Sequence, residues 1–300
     1  MQAVKSLSEF LHEVKKAKMS DSDQQFYFRG HERKSYEIQP SIFRKDSLRE
    51  NEDKIIRRLL ADQPGSFKDD TTTFERLVRA QHYGLPTRLL DVSLNPLVAL
   101  YFAVQCENNS NAEESEDGQV ICFSTPKEKI KHNDSDVVSC MANLCYLKEG
   151  EKEKIIGAAV SARKHSKFKS FSSEKSTNAI LIEEFNKCTE VRRLVDFIRG
   201  EKPGFSPRIH PLDLGKAVAA SPRKLHSRLI SQQGAFLVFG LFSEDFAETK
   251  SFSEINTYTI DIDHQHKRSI AADLADIGIH RASLFPEIEY SAAAIKNDYE

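Results

Sequence analysis

The chain has 300 residues, of which 39% are hydrophobic and 29% are charged, a composition typical of a globular protein and not of a disordered one. Its 43 lysine and arginine residues nearly balance 45 aspartate and glutamate residues, so the formal net charge is −2. A protein that coats duplex nucleic acid normally carries a basic excess, which this chain lacks. The longest apolar run, residues 97–104, is far shorter than the about 20 residues of a membrane helix.

The beginning of the chain and its cysteines indicate the cellular compartment. The first ten residues do not show the order of a secretion signal, in which a charged stretch precedes an apolar one. The five cysteines are an odd number without a CxxC pair, which is typical of reduced, mostly buried thiols. The sequence therefore predicts a cytoplasmic protein and argues against the secreted, membrane and disulfide-framework classes.

In chain order, the first third alternates helices with one strand. Apolar residues at helical spacing predict amphipathic helices at 5–17, 47–62 and about 73–83. The aromatic run Gln25–Arg29, closed by Gly30, predicts a short strand that ends in a turn. Asn95 and Pro96 predict the next helix start, because asparagine favours the N-cap and proline the first helical position.

The rest of the chain mixes helices and strands without regular βαβ spacing. The predicted elements are an acidic loop at 107–118, strands at 120–123, 235–239 and 258–262, a helical region at 135–200 with a mobile interruption at 161–177, and closing helices at 269–277 and 286–296. This order predicts an α+β fold with a small mixed or antiparallel sheet. We expect an N-terminal helix within 1–23 and a domain over 24–300, with 135–200 as a helical insertion.

The densest group of polar residues lies in residues 80–96, directly before an apolar helix. Its members are Gln81, His82, Thr87, Arg88, Asp91, Ser93 and Asn95. A structural explanation pairs Arg88 with Asp91, because a charge near a core needs a partner. A functional explanation is that so many polar types on one turn form a binding site, since a helix start also offers free N–H groups to an anion.

Two further segments offer groups that could bind an anion. Arg29, at the end of the first strand beside Gly30, can present a planar, permanently charged fork to a phosphate or carboxylate. Gln232 and Gln233 precede Gly234 at the entrance of a later strand. The structural alternatives are a salt bridge at Arg29 and a turn with solvated amides at the two glutamines.

Several of these segments together resemble the FRG-domain family, named for Phe-Arg-Gly. The similarity lies in Phe28-Arg29-Gly30, in the run from Gln81 to Asp91 and in later segments that include Gln232 to Phe236, and it spans roughly residues 24–295. The resemblance implies a bacterial or phage-associated protein, often linked to mobile or defence loci. It implies little about a specific activity, because most of the family has no assigned activity.

A weaker resemblance is to ADP-ribosyltransferases of the Arg–Ser–Glu class. It lies in Phe28-Arg29-Gly30 and in Ser93 followed by an apolar helix, and it implies an ADP-ribosyltransferase-like fold. Carried over, Arg29 would hold the phosphate or ribose of NAD, and Ser93 would support the nicotinamide ribose. The family's Ser-Thr-Ser triplet is reduced to Ser93 and its late glutamate has no match, which leaves Glu201 and Glu289 as the acidic candidates.

These observations predict a nucleotide-binding cleft. The expected binding residues are Arg29, Gly30, Thr87, Arg88, Asp91, Asn95, Gln232 and Gln233, and the expected catalytic residues are Arg29, Ser93, His82 and Glu201. The cleft would use NAD as substrate without a metal, as an ADP-ribosyltransferase or NAD glycohydrolase acting on a protein or nucleic-acid acceptor. The protein would then be a toxin-like effector or take part in anti-phage defence.

Two other classes stay open at this point. One is a nucleic-acid-binding protein or nuclease, with His82 as general acid or base, Arg29 and Arg88 on phosphate, and residues 163–169 as an auxiliary contact. The other is a non-catalytic sensor of a phage protein or partner subunit. A metal at residues 261–266 is not expected, because no further ligands are spaced to complete a site.

Overall fold

The computed structural model describes residues 3–19, 23–105, 116–169, 174–224, 226–241 and 255–297. The helices are α1 (Leu7–Lys18), α2 (Asp46–Arg49), α3 (Glu52–Asp62), α4 (Thr73–His82), α5 (Pro96–Ala103), α6 (Asp136–Asn143), α7 (Glu149–Lys169), α8 (Glu174–Phe185), α9 (Thr189–Glu201), α10 (Pro211–Leu214), α11 (Ser227–Ser231), α12 (Lys267–Asp276), α13 (Arg281–Leu284) and α14 (Ile288–Asn297). The strands are β1 (Gln24–His31), β2 (Leu89–Ser93), β3 (Gly118–Pro126), β4 (Lys131–His132), β5 (Ala217–Ser221), β6 (Gly234–Phe239) and β7 (Asn256–Ile262).

The strands form one mixed sheet in the order β4-β5-β6-β2-β1-β3-β7. All neighbours pair antiparallel except β4 and β5, which are parallel. The predicted α+β class and mixed sheet are thus confirmed. β2 and β1 occupy the middle of the sheet, although β2 was not predicted as a strand.

The two faces of the sheet carry separate hydrophobic cores. Successive side chains of a strand point to opposite faces, so Phe28 packs against α1, α5 and α12 while Tyr27 lies in a core on the other face. On the Phe28 side, α3, α4 and α6 cover β2, β5 and β6 with a further apolar cluster. A fourth cluster is formed largely by α6 to α9 among themselves, and includes the buried Phe185 and Ile198.

Helix α5 lies directly on the sheet, because two glycines leave room for its backbone. A Cβ atom built on Gly30 would lie 1.9 Å from the carbonyl oxygen of Ala99, and one on Gly118 would lie 2.2 Å from that of Ala103. The start of α5 is as predicted, since the Asn95 side chain accepts the Leu97 N–H at 2.9 Å. Gly30 therefore lies inside β1, and the predicted turn at this residue is wrong.

Another predicted element also differs from the structure. The interruption predicted at 161–177 is wrong where the structure describes it, because α7 continues to Lys169 and α8 begins at Glu174. The acidic loop predicted at 107–118 lies mostly outside the described residues. None of the helices in the described ranges is long and apolar enough to cross a membrane.

A buried group of charges joins three parts of the chain. Arg88 and Glu52 are 1% and 3% exposed, and Arg88 donates to the Glu52 carboxylate through Nε at 2.8 Å and Nη2 at 2.5 Å. Lys152, on α7, donates to the same carboxylate at 2.7 Å. Burial alone would raise the pKa of Glu52, but the two cations outweigh it and lower that pKa below its ordinary value. The predicted Arg88–Asp91 pair is therefore wrong.

The Arg88→Ala variant tests this group. We expect the free energy of unfolding to fall by about 3–5 kcal/mol, because the substitution leaves a buried carboxylate short of a partner. It also removes the donor of the Phe239 and Gly240 carbonyl oxygens. The matched control is Arg58→Ala, since Arg58 forms only an exposed ion pair with Asp62 at 3.6 Å and should cost less than about 0.5 kcal/mol. Equal losses in urea unfolding would contradict the prediction.

Candidate functional site

A cavity of about 250 Å³ opens where β1 and β2 meet, on the face of the sheet that packs against α4 and α5. Its lining comes from β1, α4, β2, α5, β6 and the segment around α11. The polar and charged lining residues are Arg29, Gln81, His82, Asp91, Ser93, His226, Arg228 and Gln232. The apolar lining includes Phe28, Val78, Val98, Phe102, Leu229 and Phe236.

The junction of β1 and β2 is only one residue pair long. Phe28 pairs with Ser93, and beyond this pair the two strands do not continue a ladder. The guanidinium of Arg29 bridges this gap, with Nη1 donating to the Asp91 carbonyl oxygen at 2.7 Å and Nε donating to His31 Nε2 at 3.0 Å. Burial and the nearby charges of Arg29 and Arg44 lower the pKa of His31 to about 4. His31 is therefore neutral at pH 7 and accepts from Arg29.

The far end of β2 is tied to the turn before β6. The Ser93 hydroxyl donates to the Gln232 carbonyl oxygen at 2.7 Å and accepts the Asn95 N–H at 2.9 Å. Gln233 completes the turn with a left-handed φ of 46°, and its carbonyl oxygen accepts the Leu94 N–H at 3.0 Å. These contacts fix Ser93 and Gln232 beside each other at the cavity wall.

Two histidines from distant parts of the chain form one edge of the cavity. The rings of His82, at the end of α4, and His226, before α11, stack with 5.4 Å between centroids and 10° between planes. Glu287 Oε1 lies 3.9 Å from His82 Nε2. Burial, together with Arg228, lowers the pKa of His82 despite Glu287, and burial with Arg79 lowers that of His226. Both imidazoles are therefore mainly neutral at pH 7.

Charged and aromatic groups complete the walls. The Arg228 guanidinium lies over the Phe285 ring, 4.5 Å from its centroid, and Phe285 meets Phe102 edge-on at 6.1 Å. Asp91 is exposed and opposes Phe236 across the β2–β6 pair, so its carboxylate faces the cavity from the same side as Ser93. The cavity thus combines a cation, a carboxylate, two neutral imidazoles and aromatic surface.

The structure brings about half of the predicted site residues together. Those that line the cavity are Arg29, Gly30, His82, Asp91, Ser93 and Gln232. Four others lie near the site but do not line the cavity, because their side chains make structural contacts. Thr87 is buried and hydrogen-bonded to Gln81, Arg88 pairs with Glu52, Asn95 caps α5, and Gln233 forms the exposed turn.

Glu201, predicted as an acidic catalytic residue, lies away from the cavity. Its carboxylate accepts the Thr73 N–H at 2.5 Å and an Asn143 N–H at 3.0 Å, so it caps the start of α4. His82 is nine residues further along the same helix, about 13 Å away at 1.5 Å per residue. Glu201 is therefore a helix-capping group. The side chain of Glu289, the other acidic candidate, lies outside the described residues.

The sequence reasoning missed His226 as a site residue. His226 belongs to no motif and lies in a short segment between Pro222 and α11, so its sequence position carries no signal. Only the fold of β5 and β6 beside β2 brings it against His82. Among the residues that the structure describes, no group of three or more His, Cys, Asp or Glu side chains is arranged to hold a metal ion.

Comparison with known families identifies part of the chain. Residues 24–112 match the family model of the FRG domain, which covers β1, β2 and helices α2 to α5. The FRG resemblance is thus confirmed for this segment. No curated protein matches the chain, and no solved structure does. The ADP-ribosyltransferase-like fold therefore stays a prediction.

The Gly30→Ala variant tests the close packing that shapes the cavity floor. We expect it to destabilise the protein by about 1–3 kcal/mol, because its Cβ would meet the backbone of α5, which must shift. Gly157→Ala is the control, since no atom lies within 4 Å of its Cβ position on α7. Alanine there should stabilise the helix by about 0.5–1 kcal/mol. Thermal unfolding of both variants gives the comparison, and unchanged stability of Gly30→Ala would contradict the packing.

Proposed function

We propose that this FRG-domain chain binds NAD or a related nucleotide in the cavity at the β1–β2 junction and consumes it, as an ADP-ribosyltransferase or NAD glycohydrolase. The observation that supports this most is the combination of groups in one cavity. Arg228 offers a fixed positive charge, Asp91 offers an exposed carboxylate, and Phe28 and Phe102 offer aromatic surface. A nucleotide presents a phosphate, a ribose and a flat base, which need these three kinds of partner.

The size of the cavity favours one half of a dinucleotide. Its volume of about 250 Å³ is slightly below the about 300–1,000 Å³ of typical small-molecule pockets. A nicotinamide ribose phosphate would occupy the enclosed part, while the adenosine half would lie outside it. Arg29 contributes by holding the Asp91 backbone, because its Nη1 donates to the Asp91 carbonyl oxygen while its Nε donates to His31.

The proposed reaction breaks the bond between C1′ of the ribose and the nicotinamide nitrogen. The electron pair of that bond stays with nicotinamide, which leaves as a neutral molecule, and positive charge develops on the ribose. Asp91 is the carboxylate placed to stabilise that charge, since electrostatic stabilisation requires an anion close by. An oxygen of water or of an acceptor side chain then bonds to C1′ and loses its proton to solvent water.

The proposed biological role rests on the family resemblance and not on the cavity. The FRG resemblance implies a bacterial protein connected with defence or mobile loci, so we place the reaction in the cytoplasm as part of anti-phage defence or toxicity. Depletion of NAD or modification of a target would then harm the host cell or block the phage. The acceptor would be water, a protein or a nucleic acid.

A second candidate function is supported by the stacked histidines. His82 and His226 lie side by side with Arg228 at the same cavity, which suits metal-free cleavage of a phosphodiester. In that reaction a neutral imidazole takes the proton of the attacking hydroxyl, and the new P–O bond forms as the bond from phosphorus to the leaving oxygen breaks. The imidazolium that results then gives this proton to the leaving oxygen. Affinity for RNA that falls steeply between 50 and 200 mM salt would favour this candidate.

Nicotinamide release by the purified full chain tests the leading proposal. We expect wild type to release nicotinamide from NAD, and Asp91→Asn to lower the rate by about 100-fold or more while NAD still raises the unfolding temperature. The matched control is Asp62→Asn, which removes an exposed carboxylate on α3 and should leave the rate unchanged.

Two outcomes would argue against NAD consumption. A rate that is equal in wild type and Asp91→Asn would remove Asp91 from the reaction. If millimolar NAD neither shifts the unfolding temperature nor releases nicotinamide, the cavity serves another ligand, and phosphodiester cleavage or partner sensing becomes the better explanation.

A further inference from the structure

Three basic groups meet at one corner of the cavity, which we call the histidine corner (His82, His226 and Arg228). The imidazole rings stack at 5.4 Å, and Arg228 is close enough to lower the pKa of His82. All three side chains line the cavity. They come from the end of α4, from the residue before α11 and from α11 itself, so the fold assembles this corner from two separate segments.

The side chain of Arg228 is held in place by an aromatic ring, and no described carboxylate neutralises its positive charge. Its guanidinium lies 4.5 Å from the centroid of the Phe285 ring, a cation–π contact that fixes its position. Among the described residues no carboxylate lies within ion-pair distance of it. A planar, permanently charged donor group that faces a cavity without a carboxylate partner suits the oxygens of a phosphate.

The other charged groups around the histidines do not neutralise the corner. His82 faces Arg228, Arg79 and Glu287, and its nearest carboxylate oxygen is 3.9 Å away on Glu287. His226 faces Arg79, His82 and Asp70. Arg79 and Asp70 already form a close ion pair, at 2.6 and 2.9 Å, so Asp70 partly offsets the effect of Arg79 on His226. Glu287 is therefore the one described acid that competes with a ligand for His82.

Arg29 differs from Arg228 in that two of its five N–H donors already make contacts within the sheet. Nη1 donates to the Asp91 carbonyl oxygen and Nε donates to His31, contacts that hold the strand junction together. Arg29 also has the Asp91 carboxylate as an electrostatic partner, which would compete with a phosphate. The geometry therefore favours Arg228 over Arg29 as the phosphate-binding group.

We infer that the histidine corner receives the phosphate group of the ligand, and that Arg29 is a positioning residue that holds the junction of β1 and β2. This inference rests on the proposed nucleotide-binding function and adds the orientation of the bound ligand. The phosphate lies toward α4 and α11, and the ribose and base lie toward Asp91 and the aromatic wall of β1 and α5.

A phosphate at this corner couples binding to proton uptake. In the free protein the pKa values of His82 and His226 lie below the ordinary 6.5, so both rings are neutral at pH 7. A neighbouring anion favours the charged imidazolium and raises these pKa values. Because the bound state then holds more protons than the free state, the affinity rises as the pH falls through the bound pKa.

The test compares nicotinamide mononucleotide with nicotinamide riboside, which differ only in the phosphate. By calorimetry on the full chain at pH 7, we expect wild type to bind the mononucleotide at least tenfold more tightly, with net proton uptake measured in two buffers of different ionisation enthalpy. Arg228→Gln and His226→Asn should bring the affinity ratio close to one, and His226→Asn should also reduce the proton uptake. Glu287→Gln should tighten mononucleotide binding, because it removes the competing carboxylate.

Two variants serve as controls. Arg281→Gln removes a guanidinium that lies over Tyr290 at 4.8 Å, outside the cavity lining, and should leave the affinity ratio unchanged. Arg29→Gln should weaken both compounds by the same factor. Unfolding temperatures within 2 °C or so of wild type for the Arg228, His226 and Arg281 variants keep the comparison free of folding losses, since about 1 kcal/mol shifts the unfolding temperature by about 2–4 °C in larger domains.

Inorganic pyrophosphate separates this inference from the proposed function. One outcome is that neither nicotinamide compound binds, while pyrophosphate binds wild type and not Arg228→Gln. This outcome would contradict the proposed NAD function and support the phosphate site. Equal affinities of wild type for the mononucleotide and the riboside would overturn the inference. A ratio that Arg29→Gln abolishes and Arg228→Gln leaves intact would also overturn it, as would wild type that binds none of the three compounds.

Discussion

The buried contact between Glu52, Arg88 and Lys152 is the constraint on which the rest of the structure depends. It joins α3, the residue before β2, and α7 through one carboxylate. Arg88 also donates to two carbonyl oxygens at the end of β6, so the start of β2 and the end of β6 are fixed to each other. At the opposite end of the same strand pair, Ser93 bonds to Gln232. The cavity wall is thus a strand pair held at both ends by hydrogen bonds to buried polar side chains.

The sequence predicts elements better than it predicts contacts. Helices α1, α4 and α5 and strands β3, β6 and β7 appear near the predicted positions, because their apolar periodicity or caps are strong local signals. Strand β2 was missed, because Asp91 and Ser93 in alternation with leucines and valine indicate a polar turn, whereas they belong to a strand in which four of five residues are buried. The partners of Arg88 are 36 and 151 residues away, distances at which local sequence carries no information about pairing.

Because local sequence carries no information about distant contacts, only part of the candidate site could be predicted. Arg29, His82, Asp91 and Ser93 were found because they lie in dense motifs, and the fold does gather them at one cavity. Thr87 and Arg88 lie in the same motif, yet both are buried, because they bond to Gln81 and Glu52 in the interior. His226 and Arg228 contribute through a tertiary contact alone. A motif therefore indicates the region of the site. The fold decides which residues of the motif are structural and which face the ligand.

The single residue pair between β1 and β2 has a consequence for how this protein can be divided. The segment that matches the FRG family, residues 24–112, contains these two strands but not β3 or β6, which pair with their other edges. Expressed by itself, the segment would hold its strands together by one pair and the Arg29 bridge, and both outer edges would be open to other chains. The segment that matches the family model and the set of strands that complete this sheet are then different. In this protein the sheet continues along the chain to the strand that ends at Ile262.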